Sequence, residues 1–412
     1  MAFQNANIRH EALLLLAAPA PTSYASLRSA YGRAISTVLS TLSRSVRGTS
    51  HSVVLDIALA TSSSLCAPES LPRSRSFARL QQLLAAFYRL LANLSVTEGI
   101  ELDGPGGVDA RVFFLDCSTR TTDGPSDLLF HGPVVSLSAV AASGRSWETV
   151  YSIATEQGDG LLQSFVRAQG QYARADVTSR IQKLPGGSIP PSSSSSSAAA
   201  GFVDEPTPRS LPHHSVAVGG TFDHLHIGHK LLLTATVLVT DPHPSQWRTV
   251  TIGVTGDELL VNKKYAEFLE SWDERCEGIW KFLHSIVDFT PPDCRETKME
   301  RVDNPGPNGR RVIVTVYPRL RFHFVQISDP FGPTITDPEI SALVVSGETQ
   351  SGGKAVNDAR EKKGWSLLEV FEVDVLELGD DPAEGKGASS DNFEAKISST
   401  EIRRRRMNLV KG

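Results

Sequence analysis

Two histidines separated by an isoleucine and a glycine, His226-Ile227-Gly228-His229, sit inside the stretch SVAVGGTFDHLHIGHKLLL that runs from Ser215 to Leu233. Imidazoles can donate to phosphoryl oxygens. A chain that leaves a strand through glycines and enters a helix also brings backbone N–H groups and the positive helix end to one point. The chemistry this implies is the binding of a phosphate and the stabilisation of charge developing on it. With 11 His and 32 Gly in 412 residues, chance would place an H-x-G-H in such a chain roughly 0.02 times. The turn therefore carries weight before its flanks, Gly219-Gly220 and Thr221-Phe222-Asp223, are counted. Taken bare, the pair reads equally as two helix-capping histidines around a structural glycine.

Two further groups fall where the same chemistry needs them. Lys263-Lys264 follows the apolar run TVTIGVT (Thr249 to Thr255), and Ile397-Ser398-Ser399-Thr400-Glu401-Ile402-Arg403 opens a helix near the carboxyl end. Alone, the lysines are an exposed loop and the serine-threonine segment is a helix-capping box. Combined with the histidine turn, they make a polyphosphate cradle.

Positioning these groups requires parallel strands whose carboxyl ends meet. Val216 to Val218 reads as a buried strand, Lys230 to Val239 as a helix, and Thr249 to Thr255 as the next strand, parallel to the first through a right-handed crossover. Ligands in open α/β sheets bind beyond such carboxyl ends. Downstream, Glu267 to Val287 is expected to be helical, Pro291 to Arg310 to be a surface insertion, and Arg311 to Val316 and His323 to Ile327 to be strands. Ala342 to Ser346 reads as a strand, Glu348 to Ala359 as a turn into a helix, Leu367 to Leu378 as a strand, Gly379 to Ser390 as a loop, and Ile397 to Met407 as a helix. Upstream, residues 23 to 47 read as a helix and Val53 to Ala60 as a strand. Phe77, Leu80, Leu84, Phe87, Leu91 and Leu94 form one helical stripe, read as core of its own unit rather than a seam for a partner helix. Val112 to Leu115 and Val134 to Val140 read as strands and Thr149 to Gln171 as a helix. The whole is expected to be a small α/β domain over 1–183, a flexible linker over 184–213 containing six serines from Ser192 to Ser197, and a second α/β domain over 214–412.

Composition excludes several classes. The net charge of −5, from 41 basic and 46 acidic residues, supplies no global field for nucleic acid. Cys66, Cys117, Cys276 and Cys294 have no metal-ligand spacing. The apolar run from Leu13 is cut by Pro19, too short for a membrane span. A cytoplasmic protein is expected, with nuclear or mitochondrial placement left open.

GGTFDHLHIGHK, followed near the end by ISSTEIR, resembles the nucleotidyltransferase superfamily that carries the HIGH signature. Val254 to Arg275, Asp329-Pro330-Phe331-Gly332-Pro333 and Val344 to Arg360 are similar to the eukaryotic phosphopantetheine adenylyltransferases of coenzyme A biosynthesis. The resemblance covers roughly residues 214 to 410 and leaves the amino-terminal half without a role. It implies a Rossmann-like parallel sheet and transfer of AMP from ATP to 4′-phosphopantetheine, giving dephospho-coenzyme A and pyrophosphate. It also implies Mg²⁺ accompanying ATP, with no metal-ligating protein residues. By analogy His229 would meet the α-phosphate, His226 the triphosphate, and Thr221, with Asp223, the incoming phosphate. Lys263 or Lys264 would bridge the two substrates' phosphates, and Ser398, Ser399, Thr400 and Arg403 would hold the β- and γ-phosphates. Gly219, Gly220, Phe222, Gly228, Ser346 and Glu348 would line the nucleotide, and Arg360 is a weaker candidate for a phosphate or structural partner. No G-x-x-x-x-G-K-[ST] occurs, so a single activity is expected, and residues 205 to 412 are expected to suffice for it. A cytidylyltransferase usually precedes the last helix with R-T-x-G, whereas here Phe393-Glu394-Ala395-Lys396 stands. That enzyme, a nicotinamide-mononucleotide adenylyltransferase, and a non-catalytic scaffold in a complex of coenzyme A enzymes are the competing readings.

Overall fold

The computed structural model describes residues 11–17, 22–49, 51–61, 65, 71–102, 104–116, 130–172, 180–187, 211–243, 245–376 and 398–411. Its first half alternates β1 (Ala12–Leu16), α1 (Tyr24–Val46), β2 (Val53–Thr61), α2 (Ser74–Glu98), β3 (Val108–Asp116), β4 (Val134–Ser136), α3 (Leu137–Ala142), β5 (Thr149–Ala154), α4 (Glu156–Gln171) and β6 (Ile181–Pro185). The six strands form one parallel sheet in the order β4-β3-β2-β1-β5-β6. Strands β1 and β2 are buried at every position, as parallel strands covered on both faces must be.

Three expectations are corrected here. Thr149 to Ala154 is a strand, and the helix starts only after Thr155, whose side chain caps it by accepting from the Gly158 N–H. Strand β4 ends at Ser136, which caps α3 by accepting from the Ala139 N–H, so Leu137 to Val140 is helical. Leu184 and Pro185 belong to β6 rather than to a linker. Of that linker, residues 188–210 lie outside the described residues. His213 at its end is buried and docked, its N–H donating to Asp241.

The second half contains β7 (Ser215–Gly220), α5 (Ile227–Val239), β8 (Arg248–Thr255), α6 (Trp272–Val287), β9 (Thr297–Asp303), β10 (Arg310–Val316), β11 (Leu320–Ile327), β12 (Ala342–Ser346), α7 (Gln350–Lys362), β13 (Glu369–Val373) and α8 (Ser399–Lys411). The sheet order is β13-β12-β7-β8-β11-β10-β9. Its first five strands are parallel, and β10 and β9 add an antiparallel edge. The strand order reverses between β7 and β12, the switch point at which open α/β sheets take ligands. The segment expected as a surface insertion supplies β9, an edge strand paired with β10 from Thr297↔Val316 to Asp303↔Arg310. Residues 377–397, with the loop expected at 379–390, lie outside the described residues.

The two sheets share their cores. Helix α2 is buried along its length, and the cluster containing Leu14, Leu55, Leu84 and Phe87 continues into Leu231, Ala235 and Leu238 of α5. The helical stripe is thus the packing surface between the halves as well as core of the first. Phe77 meets Phe371 edge-on with ring centroids 5.0 Å apart, and Phe113 meets Phe289 at 4.8 Å. Polar contacts cross the same seam. The Lys230 ammonium lies 2.6 Å from Asp109 Oδ1 and donates to the Ala110 carbonyl, and Gln81 donates to Asp374.

Candidate active site

The site is assembled from the segment between β7 and α5 outward. Gly219 stands opposite Gly253 in the β7–β8 register, so neither strand carries a side chain at that pair, next to the end of β7 at Gly220. A Cβ at Gly220 would lie 3.0 Å from the Phe222 ring. Phe222 and His224 both adopt positive φ, at 53° and 46°, a conformation disfavoured for residues with side chains. That turn persists because its surroundings hold it. Phe222 is buried, and Arg275 Nη1 donates to the Thr221 carbonyl at 2.7 Å while its Nε donates to the Glu270 carbonyl. The same guanidinium donates to the Thr255 carbonyl and to Asp257, tying the ends of β7 and β8 together. Arg275 carries no signal of this role beyond its place in the first turn of α6.

His226 caps α5 without a side-chain capping bond of its own, so the first-turn N–H groups have no capping oxygen and face the same point as the imidazoles. The rings of His226 and His229 stack with centroids 3.9 Å apart and 24° between planes, and Phe222 lies 5.4 Å from His229. Gly228 makes that stack possible, since a Cβ there would come within 3.2 Å of the His226 ring. Neither buried Nδ1 has a hydrogen-bond partner. Burial first, then the nearby Lys230 and His224, pulls the His226 pKa down to about 3. Burial, then His226 and His224, holds His229 well below its ordinary value. Both are therefore neutral donor-acceptor rings at physiological pH.

Helix α8 docks directly on this turn. Arg403 is buried and all its nitrogens are engaged. Its Nη1 pairs with Asp223, its Nε donates to the Lys264 carbonyl at 3.0 Å, and its Nη2 donates to Thr400. Ser399 Oγ donates to the Asp223 carbonyl at 2.7 Å, and Ser398 Oγ accepts from the Glu401 N–H. The histidine turn, the Lys263-Lys264 loop and the carboxyl-terminal helix thus meet, as expected of a cradle. The duties within it differ from expectation. Arg403 and Ser399 brace the turn instead of presenting free donors. Asp223 is buried, paired with Arg403, and also accepts from the Glu270 N–H at 2.9 Å, so it has no free oxygen for an acceptor substrate. The Glu401 and Ile402 N–H groups in the first turn of α8 donate to Ser398.

Lys263 and Lys264 are exposed, Thr221 is half-buried, and Ser346 and Glu348 stand at the end of β12 across the switch point. Ser346 and Thr349 are occupied in capping one another. Arg360 is buried and donates to the carbonyls of Thr334, Asp337, Pro338, Ile340 and Ser366, a structural post remote from phosphate chemistry. Asp223, His224 and Glu270 have ligand atoms within 4.8 Å of one another. They are tied into the protein, however: His224 Nε2–H donates to the Phe268 carbonyl, Glu270 accepts from the His224 backbone N–H with its other oxygen 3.2 Å from Nδ1, and Asp223 is occupied as above. The trio suits an internal network better than a cation. Among the described residues no helix is long and apolar enough to cross a membrane.

Residues 217–405 match the family model described as cytidylyltransferase-like, and residues 1–189 match a domain of unknown function. An uncharacterized protein of Schizosaccharomyces pombe is 40% identical over 190 residues, 45% of this chain and 46% of that one. A phosphopantetheine adenylyltransferase of Saccharomyces cerevisiae is 37% identical over 191 residues, 46% of this chain and 48% of that one. The chain thus spans about half the length of these two relatives. A phosphopantetheine adenylyltransferase of Pyrococcus abyssi is 31% identical over 167 residues, 40% of this chain and 82% of that one. Sheet topology, the histidine turn at the switch point and these matches define a nucleotidyltransferase-like α/β protein of the cytidylyltransferase-like class. Within that class, the chain belongs to the phosphopantetheine adenylyltransferase family.

Proposed function

We propose that this protein transfers AMP from ATP to the phosphate of 4′-phosphopantetheine, releasing pyrophosphate and forming dephospho-coenzyme A. The observation that carries the reading is the stacked, neutral His226–His229 pair at the uncapped start of α5, with the Lys263-Lys264 loop and the start of α8 fixed against the same turn. An oxygen of the acceptor phosphate attacks the α-phosphorus in line. The new P–O bond forms as the bond to the β-phosphate's bridging oxygen breaks, and pyrophosphate leaves with that electron pair. No covalent enzyme intermediate is required, so catalysis consists of positioning and charge stabilisation.

His229 donates to the α-phosphate as charge shifts onto it and His226 to the neighbouring phosphates. A neutral imidazole can do this without carrying a charge into the site. The first-turn N–H groups of α5 supply further donors, and Lys263 or Lys264 spans the two substrates' phosphates. Thr221 orients the acceptor, with Gly219, Gly220 and Gly253 forming a floor that side chains would obstruct. Mg²⁺ entering with ATP would lower the repulsion between the two polyanions.

The test is pyrophosphate release from Mg-ATP across a panel of acceptors: 4′-phosphopantetheine, nicotinamide mononucleotide, phosphocholine and glycerol 3-phosphate, with CTP as the alternative nucleotide. Release that depends on 4′-phosphopantetheine and prefers ATP is expected. Release only with CTP, or only with another acceptor, overturns the assignment.

A further inference from the structure

Backbone strain is concentrated where the segments of the site meet. Of the five described non-glycine residues at positive φ, Phe222 and His224 belong to the histidine turn and Tyr265 directly follows the lysine pair. Tyr265 has φ 58° and ψ 46°, the left-handed helical conformation. A Cβ makes that conformation costly, so an aromatic residue stays in it only where its neighbours fix it. Glycine and asparagine adopt it far more readily.

The neighbours that fix it come from the other two parts of the site. Immediately before Tyr265, the Lys264 carbonyl accepts from Arg403 Nε at 3.0 Å, and the same guanidinium pairs with Asp223. Immediately after it, a short 3₁₀ turn over Ala266–Phe268 brings the Phe268 N–H back to the Tyr265 carbonyl at 3.1 Å. The Phe268 carbonyl then accepts from His224 Nε2 at 2.7 Å. Tyr265 is thus gripped by Asp223 through Arg403 on one side and by His224 on the other, two adjacent residues of the histidine turn. Val261 to Lys264 are all exposed, whereas Leu260 is buried and Tyr265 half-buried. The exposed lysine tip hangs from two points: the Leu260 carbonyl, which accepts from the Lys263 N–H, and the joint at Tyr265.

We infer that Tyr265 is a positioning residue whose left-handed backbone, rather than its ring, sets where Lys263 and Lys264 stand relative to His226 and His229. The inference rests on the phosphate role proposed above for those lysines. Relaxing Tyr265 to an extended φ rotates the chain by well over about 100° at this single joint. The Lys264 carbonyl could not then stay on Arg403 while Phe268 stays on His224.

The test compares Tyr265→Asn with Tyr265→Val in the full chain. Valine is the closer to tyrosine in apolar character and asparagine the better suited to the backbone, so a role for the ring and a role for the joint predict opposite orders. With Mg-ATP and 4′-phosphopantetheine, Tyr265→Asn is expected within about twofold of wild-type turnover. Tyr265→Val is expected about tenfold or more below it, with KM for ATP changed by less than about threefold. In a Lys263→Ala/Lys264→Ala background the valine substitution should cost no more than about twofold further, because the groups it misplaces are already gone. Thermal midpoints without substrate should follow the same order, Tyr265→Val falling about 2–4 °C below Tyr265→Asn. Should Tyr265→Val fail to fold, Tyr265→Ala takes its place. An asparagine variant as slow as the valine one, normal turnover in the valine variant, or an undiminished further loss in the lysine-free background overturns the inference. If the wild type shows no turnover with 4′-phosphopantetheine, it is the functional reading that fails; the midpoint order then decides the joint, and equal midpoints overturn it.

Discussion

Replacing Asp109 by alanine tests whether the first half of the chain is part of the catalytic apparatus. Asp109 lies on β3, 121 positions before Lys230, the residue that follows His229. The Lys230 side chain is 4% exposed, and its ammonium pairs with Asp109, donates to the Ala110 carbonyl and lies over the Phe282 ring. Asp109 also pairs with Arg111 at 2.6 Å. Burial alone would raise the Asp109 pKa, but Arg111 and then Lys230 outweigh it and hold the carboxyl far below its ordinary range. Its contribution to stability is therefore fully present above pH 4 and is lost as pH falls through the folded-state value. Removing one partner of a buried pair costs about 3–5 kcal/mol; Asp109 keeps some solvent contact, so roughly 3 kcal/mol is expected at pH 7.5. The lysine left behind would pull the first turn of α5 toward water and disturb the His226–His229 stack, with a loss of roughly tenfold in turnover of the molecules that remain folded. Urea unfolding of Asp109→Ala, Lys230→Met and the double variant gives the coupling directly, expected at about 1–3 kcal/mol. Kinetics at a urea-free temperature well below each midpoint give the rest. Additive single effects, or an Asp109→Ala variant within about 0.5 kcal/mol of wild type, would refute the clamp.

Four further outcomes follow from the geometry. His229→Ala should lower turnover by about two orders of magnitude or more with an unchanged circular dichroism spectrum, because its ring acts on charge that develops in the transition state; near-normal turnover rejects its role. Gly228→Ala should raise helix stability by up to about 1 kcal/mol while lowering turnover, since the new Cβ crowds the His226 ring at 3.2 Å; equal or higher turnover would show that the ring position is unimportant. His131 has a folded pKa of about 3 against an unfolded value near 6.5, so it adds nothing above pH 6.5 and costs stability below it, roughly 1.4 kcal/mol between pH 7.5 and 5.5. His226, His229 and His323 act in the same direction, and denaturant midpoints that do not fall over that interval contradict the assignment. A fragment of residues 205 to 412 should unfold at lower urea than the full chain or associate through the exposed faces of α5 and Phe371, contrary to the expectation from the serine-rich linker; a monomeric fragment of full stability would show the seam to be dispensable.

The parts of the fold that could be read in advance were those whose residues are buried on both faces. Strands β7 and β12 carry short runs of Val, Ala and Leu ended by glycine or serine, and β8 alternates Thr with buried Val and Ile, patterns that burial between two layers imposes. Strand β9, TKMERVD, is an exposed edge whose polarity looks like a loop until β10 lies beside it. Strand β5 abuts α4 with a single capping threonine between them, so a helical period imposed on the following residues swallowed it. Among site residues, His226, Gly228 and His229 were visible because they are adjacent. Arg275, Gly253 and Asp109 act through partners 18 to 121 positions away or through strand register, which no local spacing encodes.

The same distinction explains why Arg403 changes duty. From its place in ISSTEIR it reads as a free guanidinium at a helix start, aimed at phosphate. Asp223, 180 positions earlier, is equally plausible alone as a substrate contact. Brought together and buried, each removes the other from solvent, and neither can be given up without stranding a charge. Their joint effect is to fix the positive-φ turn between Phe222 and His224 against both α8 and the carbonyl of Lys264. On the opposite side, Lys230 and Asp109 fix the same helix start against the first half. The two histidines are thus held between two buried ion pairs, one made within the second half and one across the seam. Loss of the first half is therefore expected to loosen the stack, because one of the two pairs that hold the start of α5 lies across the seam.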